Sequence, residues 1–466
     1  MEKSLSPGNS SCDRSLNLTK GINTLTALAQ SAAIQQINAA LGAEAQLHLV
    51  GGCVRDALSG LDSFDVDLAA AFDAARTAEL LSAANLRVIE TGLQHGTLTV
   101  LADGHSFEIT TFRNPYTKLP AKRIEDDLLF RDFSINAIAF SVANLKLIDP
   151  LGGIEDLKQQ TLKATGPASE RLSDDPLRTL RAIRFGPASG RILDLELSGA
   201  IRITAPKLHS VSVERIREEI KKILLCPQAA EGFRSMKQLG LLEHTIPELI
   251  PTIGFEQNEF HIHDVFEHTL WVLERCPLDI TLRLAAIFHD IAKPQSFSVG
   301  EDGRRHFYRH EELGTDVAQR VMLRLKFSHQ EIHDVSTLVR HHMRPINCGP
   351  SGVRRLMRDL GPQLEAWKLF KFADGPPIQS DAEVRSGIEA FSSLLHSELE
   401  RLKGSAVDAL AIDGNDLIAL GLKPGPRLGT ILKELGELVL ENPSLNEKET
   451  LLKKAQELMS LKTKSA

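Results

Sequence analysis

Two glycines and two aspartates lie close together near the start of the chain, in an order that suits phosphate chemistry. Gly51 and Gly52 follow a short apolar run and precede a helical pattern, so their N–H groups could hold a triphosphate. Asp65 and Asp67 are two residues apart on a predicted strand, which projects both carboxylates from one face. Such carboxylates suit Mg²⁺, and two ions could activate a hydroxyl and stabilise departing pyrophosphate. The simpler alternative is a turn followed by surface charges.

Further polar residues of the same region could complete such a site. Arg55 lies in the first turn of the predicted helix, where it could contact a phosphate. Glu108 lies on a strand expected beside that of the aspartates, and is either a third carboxylate or a solvated strand position. Arg131 could bind the triphosphate, while Asp132 and Asn136 could hold a ribose or the loop. The alternative for Asp132 is the cap of a helix, and both roles could hold together.

The segment 172–185 is predicted to be a single helix, because Ser-Asp-Asp-Pro is a helix-start signal. Asp175 and Arg178 are three residues apart and would be neighbours on one helix face. A carboxylate accepts from an exocyclic amino group and a guanidinium donates to a ring nitrogen, so this pair could select cytosine or adenine. Spacing alone favours an intrahelical ion pair. Arg181 and Arg184 follow Arg178 at intervals of three residues, which extends a stripe of arginines along the predicted helix. They could contact a triphosphate or RNA.

The elements that must position these residues change in character along the chain. Residues 46–150 contain short apolar runs separated by Gly, Asp and Asn, which predict one mixed sheet with a helix or two packed on it. A helical pattern over residues 24–41 precedes this region. Nearly every segment after about residue 155 is helical in pattern. The sequence therefore predicts a small α/β head followed by a long helical remainder.

Composition limits the class of protein. The 466 residues are 42% hydrophobic and 25% charged, as in ordinary globular proteins, and the net charge is −7. An RNA partner would therefore need a local basic stripe. The five cysteines are scattered and predict reduced thiols, and the polar N-terminus lacks a signal-peptide pattern. With no apolar run of membrane-spanning length, we expect a cytoplasmic protein without a membrane partner.

The order of the motifs resembles that of a known family. The matching strings are LVGGCVRDALSG, DVD, HGTLTV, FEITTFR, RDFSINAIA and DPLGGIEDL. They are similar to the polymerase-β-like head of class II tRNA nucleotidyltransferases and of the related bacterial poly(A) polymerases. The resemblance implies an α+β fold, Mg²⁺ as cofactor, and addition of C, C and in some members A to the tRNA 3′ end from CTP and ATP, with release of pyrophosphate. It also favours base selection by Asp175 and Arg178 over the ion pair.

Two departures from the family pattern bear on specificity. The family usually has two arginines before Asp-Phe, and here the first position is Phe130. The segment between Arg113 and Arg131 is shorter than in CCA-adding relatives, where a flexible loop switches the pocket from CTP to ATP. A short loop is typical of CC-adding members, which leave the adenosine to a separate A-adding enzyme. The alternative of a poly(A) polymerase is disfavoured because its basic segment after the second aspartate is absent.

Histidines and aspartates form a second group between residues 263 and 374, and together such side chains suit a transition metal or Mg²⁺ that activates water. This stretch resembles the HD phosphohydrolase superfamily. The resemblance implies a divalent metal of unspecified identity and these ligands: His268, His289, Asp290 and Asp374, with His310 and His341 added if two metals bind. Hydrolysis of a phosphomonoester or cyclic phosphate and a structural role are both open, as is the alternative of an HD hydrolase with an RNA-binding head.

The C-terminal segment also resembles that of HD-bearing tRNA nucleotidyltransferases. Its glycine-rich turns, with Lys423 and Arg427, could meet an RNA phosphate, or could simply pack helices together. The predicted domains are a disordered tail (1–25), a nucleotidyltransferase head (26–165), a helical neck (166–230), an HD domain (231–376) and a helical tRNA-binding tail (377–466).

Overall fold

The protein is described here by a computed structural model. It covers residues 16–61, 65–92, 96–114, 117, 119–257, 262–301, 303–375, 380–401 and 410–461. The chain forms two compact units that divide after Pro247. None of the helices in the described residues is both long and apolar enough to cross a membrane.

The first unit contains a seven-stranded mixed sheet with the strand order β3-β4-β5-β2-β1-β6-β7. Only β2 and β5 pair in parallel within this sheet, and the other neighbouring strands are antiparallel. The strands are β1 His48–Val50, β2 Asp67–Ala70, β3 Arg87–Gly92, β4 Thr97–Ala102, β5 His105–Thr111, β6 Ala139–Ser141 and β7 Leu147–Ile148. This mixed sheet confirms the fold class predicted for the head.

Helices surround the sheet and continue beyond it. Those of the head are α1 Leu18–Ala29, α2 Ala32–Leu41, α3 Gly52–Leu58, α4 Ala74–Ala83, α5 Ile124–Phe130 and α6 Gly153–Lys158. They are followed by α7 Ala168–Asp174, α8 Arg178–Phe185, α9 Leu195–Thr204, α10 Val213–Leu224 and α11 Ala229–Gln238. A short parallel pair, β8 Thr161–Leu162 and β9 Ile192–Leu193, lies among these helices.

The second unit is almost entirely helical. Its helices are α12 Val265–Arg275, α13 Ile280–Phe288, α14 His310–Arg324, α15 His329–His341, α16 Pro350–Leu360, α17 Leu364–Ala373, α18 Asp381–Arg401, α19 Gly414–Ala419, α20 Pro426–Glu441 and α21 Lys448–Leu461. One antiparallel hairpin, β10 Phe297–Val299 and β11 Arg305–Phe307, interrupts them. The C-terminal helices α19, α20 and α21 share a small apolar core that includes Leu417, Leu435 and Leu451.

A cluster of buried apolar side chains lies at the centre of the seven-stranded sheet. Val50, Ala69 and Ala139 come from three adjacent strands, and Phe112 and Leu128 pack with them, all fully or almost fully buried. Full burial of a side chain as large as Leu or Phe stabilises the fold by about 1.5–3 kcal/mol. The core therefore fixes the positions of the central strands and α5 relative to one another. As a result, the polar residues at the ends of these elements lie close together.

The structure corrects the predicted extent of the N-terminal tail. Residues 1–15 lie outside the described part, but α1 begins at Leu18, with the Asn17 side chain accepting from the N–H of Lys20. Residues 18–25, which were predicted to be disordered, are therefore helical. Gly21 lies so close to α3 that a Cβ atom there would be 2.8 Å from the Cα of Leu58. Packing on α3 explains why a polar sequence is ordered here.

The predicted boundary at residue 231 also differs from the division between the units. Helix α11 spans that position and belongs to the first unit, which extends to Pro247. In α11, Gly232 approaches Ala188 so closely that a Cβ atom would lie 2.9 Å from the Ala188 side chain. This close packing keeps α11 with the helices of the first unit.

Candidate active site and candidate metal centre

One cavity of about 890 Å³ in the first unit is lined by residues from the sheet and from the helices that follow it. It brings together every residue that the sequence analysis selected in the head and neck, namely Gly51, Gly52, Arg55, Asp65, Asp67, Glu108, Arg131, Asp132, Asn136, Asp175, Arg178, Arg181 and Arg184. The lining is mostly charged. Such a cavity suits a polyanionic ligand together with cations.

Three carboxylates lie on the sheet side of this cavity. Asp67 and Glu108 are directly paired on the parallel strands β2 and β5. Asp65 precedes β2, which begins at Asp67, so the prediction that both aspartates lie on one strand is wrong, although both line the cavity. Burial raises the pKa of Asp67, and the nearby charges of Glu108 and Asp65 raise it further, against Arg131. A bound divalent cation would relieve the repulsion of these like charges. Among the described residues, however, the three carboxylates do not form a group whose oxygen atoms all lie within 4.8 Å of one another.

The turn before α3 brings the backbone close to these carboxylates. Gly51 has a φ of +72°, a left-handed conformation that glycine adopts without strain. A Cβ atom at this position would lie 3.0 Å from Nη1 of Arg131 and 3.2 Å from Oδ2 of Asp67. A side chain at residue 51 would therefore crowd both groups. The backbone of Gly51 lies beside the guanidinium of Arg131 and the carboxylate of Asp67.

Hydrogen bonds fix the two arginines nearest this turn. Nη1 of Arg55 donates to Oδ1 of Asn136 over 2.7 Å, and its Nε donates to Asp56 over 2.8 Å. Nη2 of Arg131 donates to Oδ2 of Asp127 over 3.2 Å. Each guanidinium is held by groups behind it and still lines the cavity. They can therefore meet a triphosphate with little further loss of side-chain freedom.

Asp132 joins the sheet region to helix α8. Its Oδ1 accepts from Nδ2 of Asn136 over 3.0 Å, and its Oδ2 accepts from Nε of Arg181 over 2.7 Å. Burial raises the pKa of Asp132, but the Arg181 guanidinium and the Asn136 amide outweigh it, so the pKa lies below its ordinary value. The short 3₁₀ turn that follows has no side-chain cap, so the capping alternative for Asp132 is wrong. The residue instead positions Arg181.

The segment predicted as one helix over 172–185 is broken. Helix α7 ends at Asp174, Asp175 is extended, and α8 begins at Arg178. The break has a local cause, because Pro176 disfavours a helical conformation for the residue before it. Asp175 and Arg178 both line the cavity, but they do so from either side of the break rather than along one helix face.

Packing gives these two residues separate partners. Asp175 accepts from Nη2 of Arg215 on α10 over 2.7 Å. Arg178 donates to the backbone carbonyls of Phe130 and Arg171 over 3.2 and 3.1 Å. The intrahelical ion pair considered as an alternative is thus replaced by contacts to other segments.

The second unit contains two groups of side chains that could each hold a metal. In each group the candidate ligand atoms lie within 4.8 Å of one another. The first group is His268, His289 and Asp374, and the second is Asp290, His310 and His342. Adjacent residues of one motif, His289 and Asp290, contribute to different groups, which brings the two candidate positions side by side.

The hydrogen bonds of the second group fit a cation. Nδ1 of His310 and Nδ1 of His342 each contact a backbone carbonyl over 2.7 Å, so each ring donates from Nδ1. Their Nε2 atoms then face each other at 3.2 Å. In this orientation the Nε2 atoms of both rings are directed into the same space, which is the orientation that outer partners impose on metal ligands. Oδ1 of Asp290 lies 3.3 Å from Nε2 of His310 and supplies the negative charge.

Four family models match successive parts of the chain. They are the poly A polymerase head domain over residues 47–163, a probable RNA and SrmB-binding site of polymerase A over 193–252, the HD domain over 265–374, and tRNA nucleotidyltransferase domain 2 over 384–455. An A-adding tRNA nucleotidyltransferase from Deinococcus radiodurans is 33% identical over 405 residues, covering 84% of this chain and 90% of that protein. The chain belongs to the class II tRNA nucleotidyltransferases that carry an HD domain.

Other members of this family differ in the nucleotides that their names specify. A CC-adding tRNA nucleotidyltransferase from Thermus thermophilus is 30% identical over 413 residues, covering 84% of this chain and 89% of that protein. A CCA-adding enzyme from Leuconostoc mesenteroides is 28% identical over 427 residues, covering 89% and 93%. The solved structure of the Bacillus stearothermophilus CCA-adding enzyme with CTP shares the fold, with a TM-score of 0.70, 22% identity, and coverage of 96% of this chain and 99% of that one.

For this class II tRNA nucleotidyltransferase, one predicted HD ligand needs correction. His341 belongs to neither candidate metal group, whereas His342 belongs to the second. Helix α15 ends at His341, and successive helical residues point about 100° apart around the axis. Only His342 is directed inward, with its side chain 1% exposed. The other predicted ligands, His268, His289, Asp290, His310 and Asp374, all lie in the two groups.

Phe185 is an aromatic residue of the nucleotidyltransferase cavity that no sequence motif indicated. The ring of Phe185 lies 4.8 Å from the guanidinium of Arg55, 5.4 Å from that of Arg181 and 3.9 Å from that of Arg184. Cation–π attraction allows these like charges to gather. Arg184 is further held by Glu219 over 2.7 Å. An aromatic residue at the end of an arginine stripe is the only signal that could have identified Phe185.

Proposed function

We propose that this tRNA nucleotidyltransferase adds two cytidines to the tRNA 3′ end from CTP, without a template, and stops before adenosine. Nucleotide addition to the tRNA 3′ end is the activity shared by the named relatives. The stop after cytidine is supported by the short connection that follows β5. The backbone N–H of Asn114 donates to the Leu119 carbonyl over 2.8 Å, and Arg113 pairs with Pro120 in an isolated bridge. These contacts join the two ends of the connection before α5 begins.

The chain's own residues would perform distinct parts of the reaction. Gly51, Arg55 and Arg131 would hold the triphosphate, with Arg181 and Arg184 beside them. Asp65, Asp67 and Glu108 would hold Mg²⁺, which when bound lowers the barrier to attack by a hydroxyl and to loss of pyrophosphate. In that step the RNA 3′ hydroxyl gives its proton to solvent and its oxygen bonds to the α-phosphorus. The bond from the α-phosphorus to the oxygen shared with the β-phosphate breaks, and pyrophosphate leaves. Asn136 and Asp56 hold Arg55 by hydrogen bonds, and Asp127 holds Arg131. These contacts would keep the triphosphate, and with it the reacting atoms, aligned.

Base selection is assigned to Asp175 and Arg178. The Asp175 carboxylate would accept from the N4 amino group of cytosine, which uracil lacks, and Arg178 would donate to the ring. Arg215 orients the carboxylate through their ion pair of 2.7 Å. This explains how a pocket without a template strand could reject UTP.

Replacement of Asp175 by asparagine is expected to lower the preference for CTP over UTP by about 10- to 100-fold, because an amide can also donate to the uracil carbonyl. The ratio of kcat/KM values for the two nucleotides measures this directly. The control is Glu155→Gln, which neutralises a carboxylate on α6 with a 58% exposed side chain and should leave the ratio unchanged. An unchanged ratio in Asp175→Asn would contradict the assignment.

The number and type of nucleotides can be tested with three tRNA transcripts that end before CCA, after C and after CC. Each is incubated with CTP, ATP or both, and the products are resolved at single-nucleotide length. Extension by cytidines up to CC and no further supports the proposal and requires a separate A-adding enzyme. Extension to full CCA would refute the argument from the short connection. Addition of adenosines to unrelated RNAs would favour a poly(A) polymerase instead.

Addition of adenosine alone is the second candidate function. It is favoured by the 33% identity to the A-adding relative, which exceeds the 30% identity to the CC-adding one. The same assay separates the two, because an A-adding enzyme would extend only the transcript that ends in CC, and only with ATP.

For the second unit we infer that the two His/Asp groups bind divalent metal, and that the HD domain hydrolyses a phosphoester. The observation that supports metal binding is the pair of facing Nε2 atoms of His310 and His342. Bound metal would supply an activated water. Lys293, whose Nζ lies 2.6 Å from Oδ2 of Asp290, would hold that carboxylate in place.

Two adjacent histidines provide a matched test of this metal centre. His342→Ala should lower metal affinity by at least the 10- to 100-fold that loss of an outer partner costs, and should remove close to one equivalent of bound metal. His341→Ala should retain the wild-type metal content. Metal content of the purified full-length variants, with circular dichroism as the folding control, measures the difference. Equal metal content in the two variants would contradict the assignment of His342.

A further inference from the structure

Arg113 lines the nucleotidyltransferase cavity at the end of β5. Its guanidinium lies over the ring of Phe130, with 4.8 Å between Cζ and the ring centroid. Its backbone N–H donates to Oδ1 of Asp127 over 3.2 Å, which fixes the start of the side chain. The guanidinium is therefore held in one place at the wall of the cavity.

The charge of Arg113 is not neutralised within the described residues. The other arginines of the cavity each have a carboxylate or carbonyl partner there: Arg55 with Asp56, Arg131 with Asp127, Arg178 with two backbone carbonyls, Arg181 with Asp132, Arg184 with Glu219 and Arg215 with Asp175. For Arg113, by contrast, the described part of the chain offers the guanidinium no hydrogen-bond acceptor or ion-pair partner, and its Nε is buried. A buried donor without an acceptor is costly, so a ligand anion is the natural partner.

The order of strands indicates which anion this is. Strand β2, with Asp67, lies between β1, which leads into the Gly51 turn, and β5, which carries Glu108 and leads to Arg113. In nucleotidyl transfer the attacking and leaving oxygens are roughly in line on opposite sides of the phosphorus. If the pyrophosphate leaves towards the Gly51 turn at β1, the attacking RNA end approaches from the β5 side. Arg131 connects the two sides, because its Nη1 lies beside Gly51 and its Nη2 donates to Asp127, which also accepts from the N–H of Arg113.

We propose that Arg113 binds a backbone phosphate of the RNA primer beside its 3′-terminal nucleotide, as a binding residue for the second substrate rather than for the nucleoside triphosphate. The inference rests on the proposed nucleotidyl transfer for the location of the triphosphate. Stacking on Phe130 presents the guanidinium edge to the phosphate and limits its motion. Arg113 would thus align the 3′ hydroxyl with the α-phosphorus.

The first test is equilibrium binding of a tRNA transcript that lacks CCA, which does not depend on catalysis. Arg113→Gln should bind this RNA about tenfold more weakly, as expected for the loss of one charge-assisted contact. The slope of log affinity against log salt concentration should fall by about 0.7–0.9, the value for one phosphate contact. Arg113→Lys keeps the charge and should restore the slope. The control Arg123→Gln removes a 72% exposed arginine that lies outside the cavity and should change neither quantity.

The second test compares the two substrates in steady-state addition. Arg113→Gln should raise KM for tRNA about tenfold while KM for CTP stays within twofold of wild type. A rise in KM for CTP with unchanged tRNA binding would overturn the proposal and place Arg113 on the triphosphate. Unchanged values for both would also overturn it. If wild-type protein extends no tRNA, the proposed function fails, whereas the binding and salt measurements still decide the role of Arg113.

Discussion

Replacement of Asp65 and Asp67 together by alanine is expected to lower nucleotide addition by at least about a thousandfold. Loss of the cations that these carboxylates would hold removes several kcal/mol of transition-state stabilisation, and each 1.36 kcal/mol corresponds to a tenfold change in rate. The fold should survive, because burial and like charges already raise the pKa of Asp67, which shows that the charged cluster is itself unfavourable. The variant is thus expected to be inactive and at least as stable as wild type.

Single-turnover addition of one cytidine to tRNA measures this loss without interference from product release. Thermal unfolding of the same preparations tests the expected stability. The control is Glu79→Ala, which removes a carboxylate of the same head on α4 with a 68% exposed side chain, and it should retain wild-type activity. A decrease of less than tenfold in the double variant would contradict the catalytic role of the two aspartates.

Replacement of Gly51 by alanine is expected to reduce nucleotide addition by about a hundredfold. The new Cβ atom would lie 3.0 Å from Nη1 of Arg131 and 3.2 Å from Oδ2 of Asp67, so both side chains must move. A displacement of about 1 Å in a reacting group is enough for a loss of this size. The φ of +72° adds a separate cost of about 1–2 kcal/mol in stability, because a side chain is strained in this conformation.

Gly60→Ala separates these two effects. Gly60 has almost the same backbone conformation, with a φ of +71°, but a Cβ atom there meets no atom of the described residues within 4 Å. Both variants should lose a similar free energy of unfolding in denaturant titrations, while only Gly51→Ala should lose activity per folded molecule. Equal activity in the two variants would show that crowding beside Arg131 and Asp67 has no consequence for the reaction.

The family and the contents of the cavity could be predicted from the order of short motifs. Each motif is local: glycines that permit a tight turn, aspartates near the start of a strand, and an aspartate and arginine near a proline. Such motifs depend on side-chain chemistry and backbone preferences that act over a few residues. They can therefore be recognised in the sequence before the tertiary structure is known. This is why every candidate residue of the head and neck lines one cavity.

Two predictions that were wrong concern residues at the ends of elements, where local spacing does not fix geometry. Asp65 precedes β2 instead of sharing it with Asp67, and Asp175 lies in a break before Pro176 instead of on a helix with Arg178. In both places the residues were correctly grouped, because the turn and the break still direct them into the cavity. Periodicity describes the interior of an element, whereas these functional residues lie at element ends, where the period no longer applies.

By itself the sequence determined the family, the mixed sheet of the head, and which residue types share the cavity. Only the tertiary structure decided the partners of those residues. Arg215 pairs with Asp175 across 40 positions of sequence, and Phe185 gathers arginines from separate segments. It also decided between His341 and His342, since one step along the chain separates a half-buried side chain outside both metal groups from a fully buried one inside the second group. The physical reason is that these contacts depend on how whole elements pack, and packing is set by the buried apolar surface of many residues together rather than by any one motif.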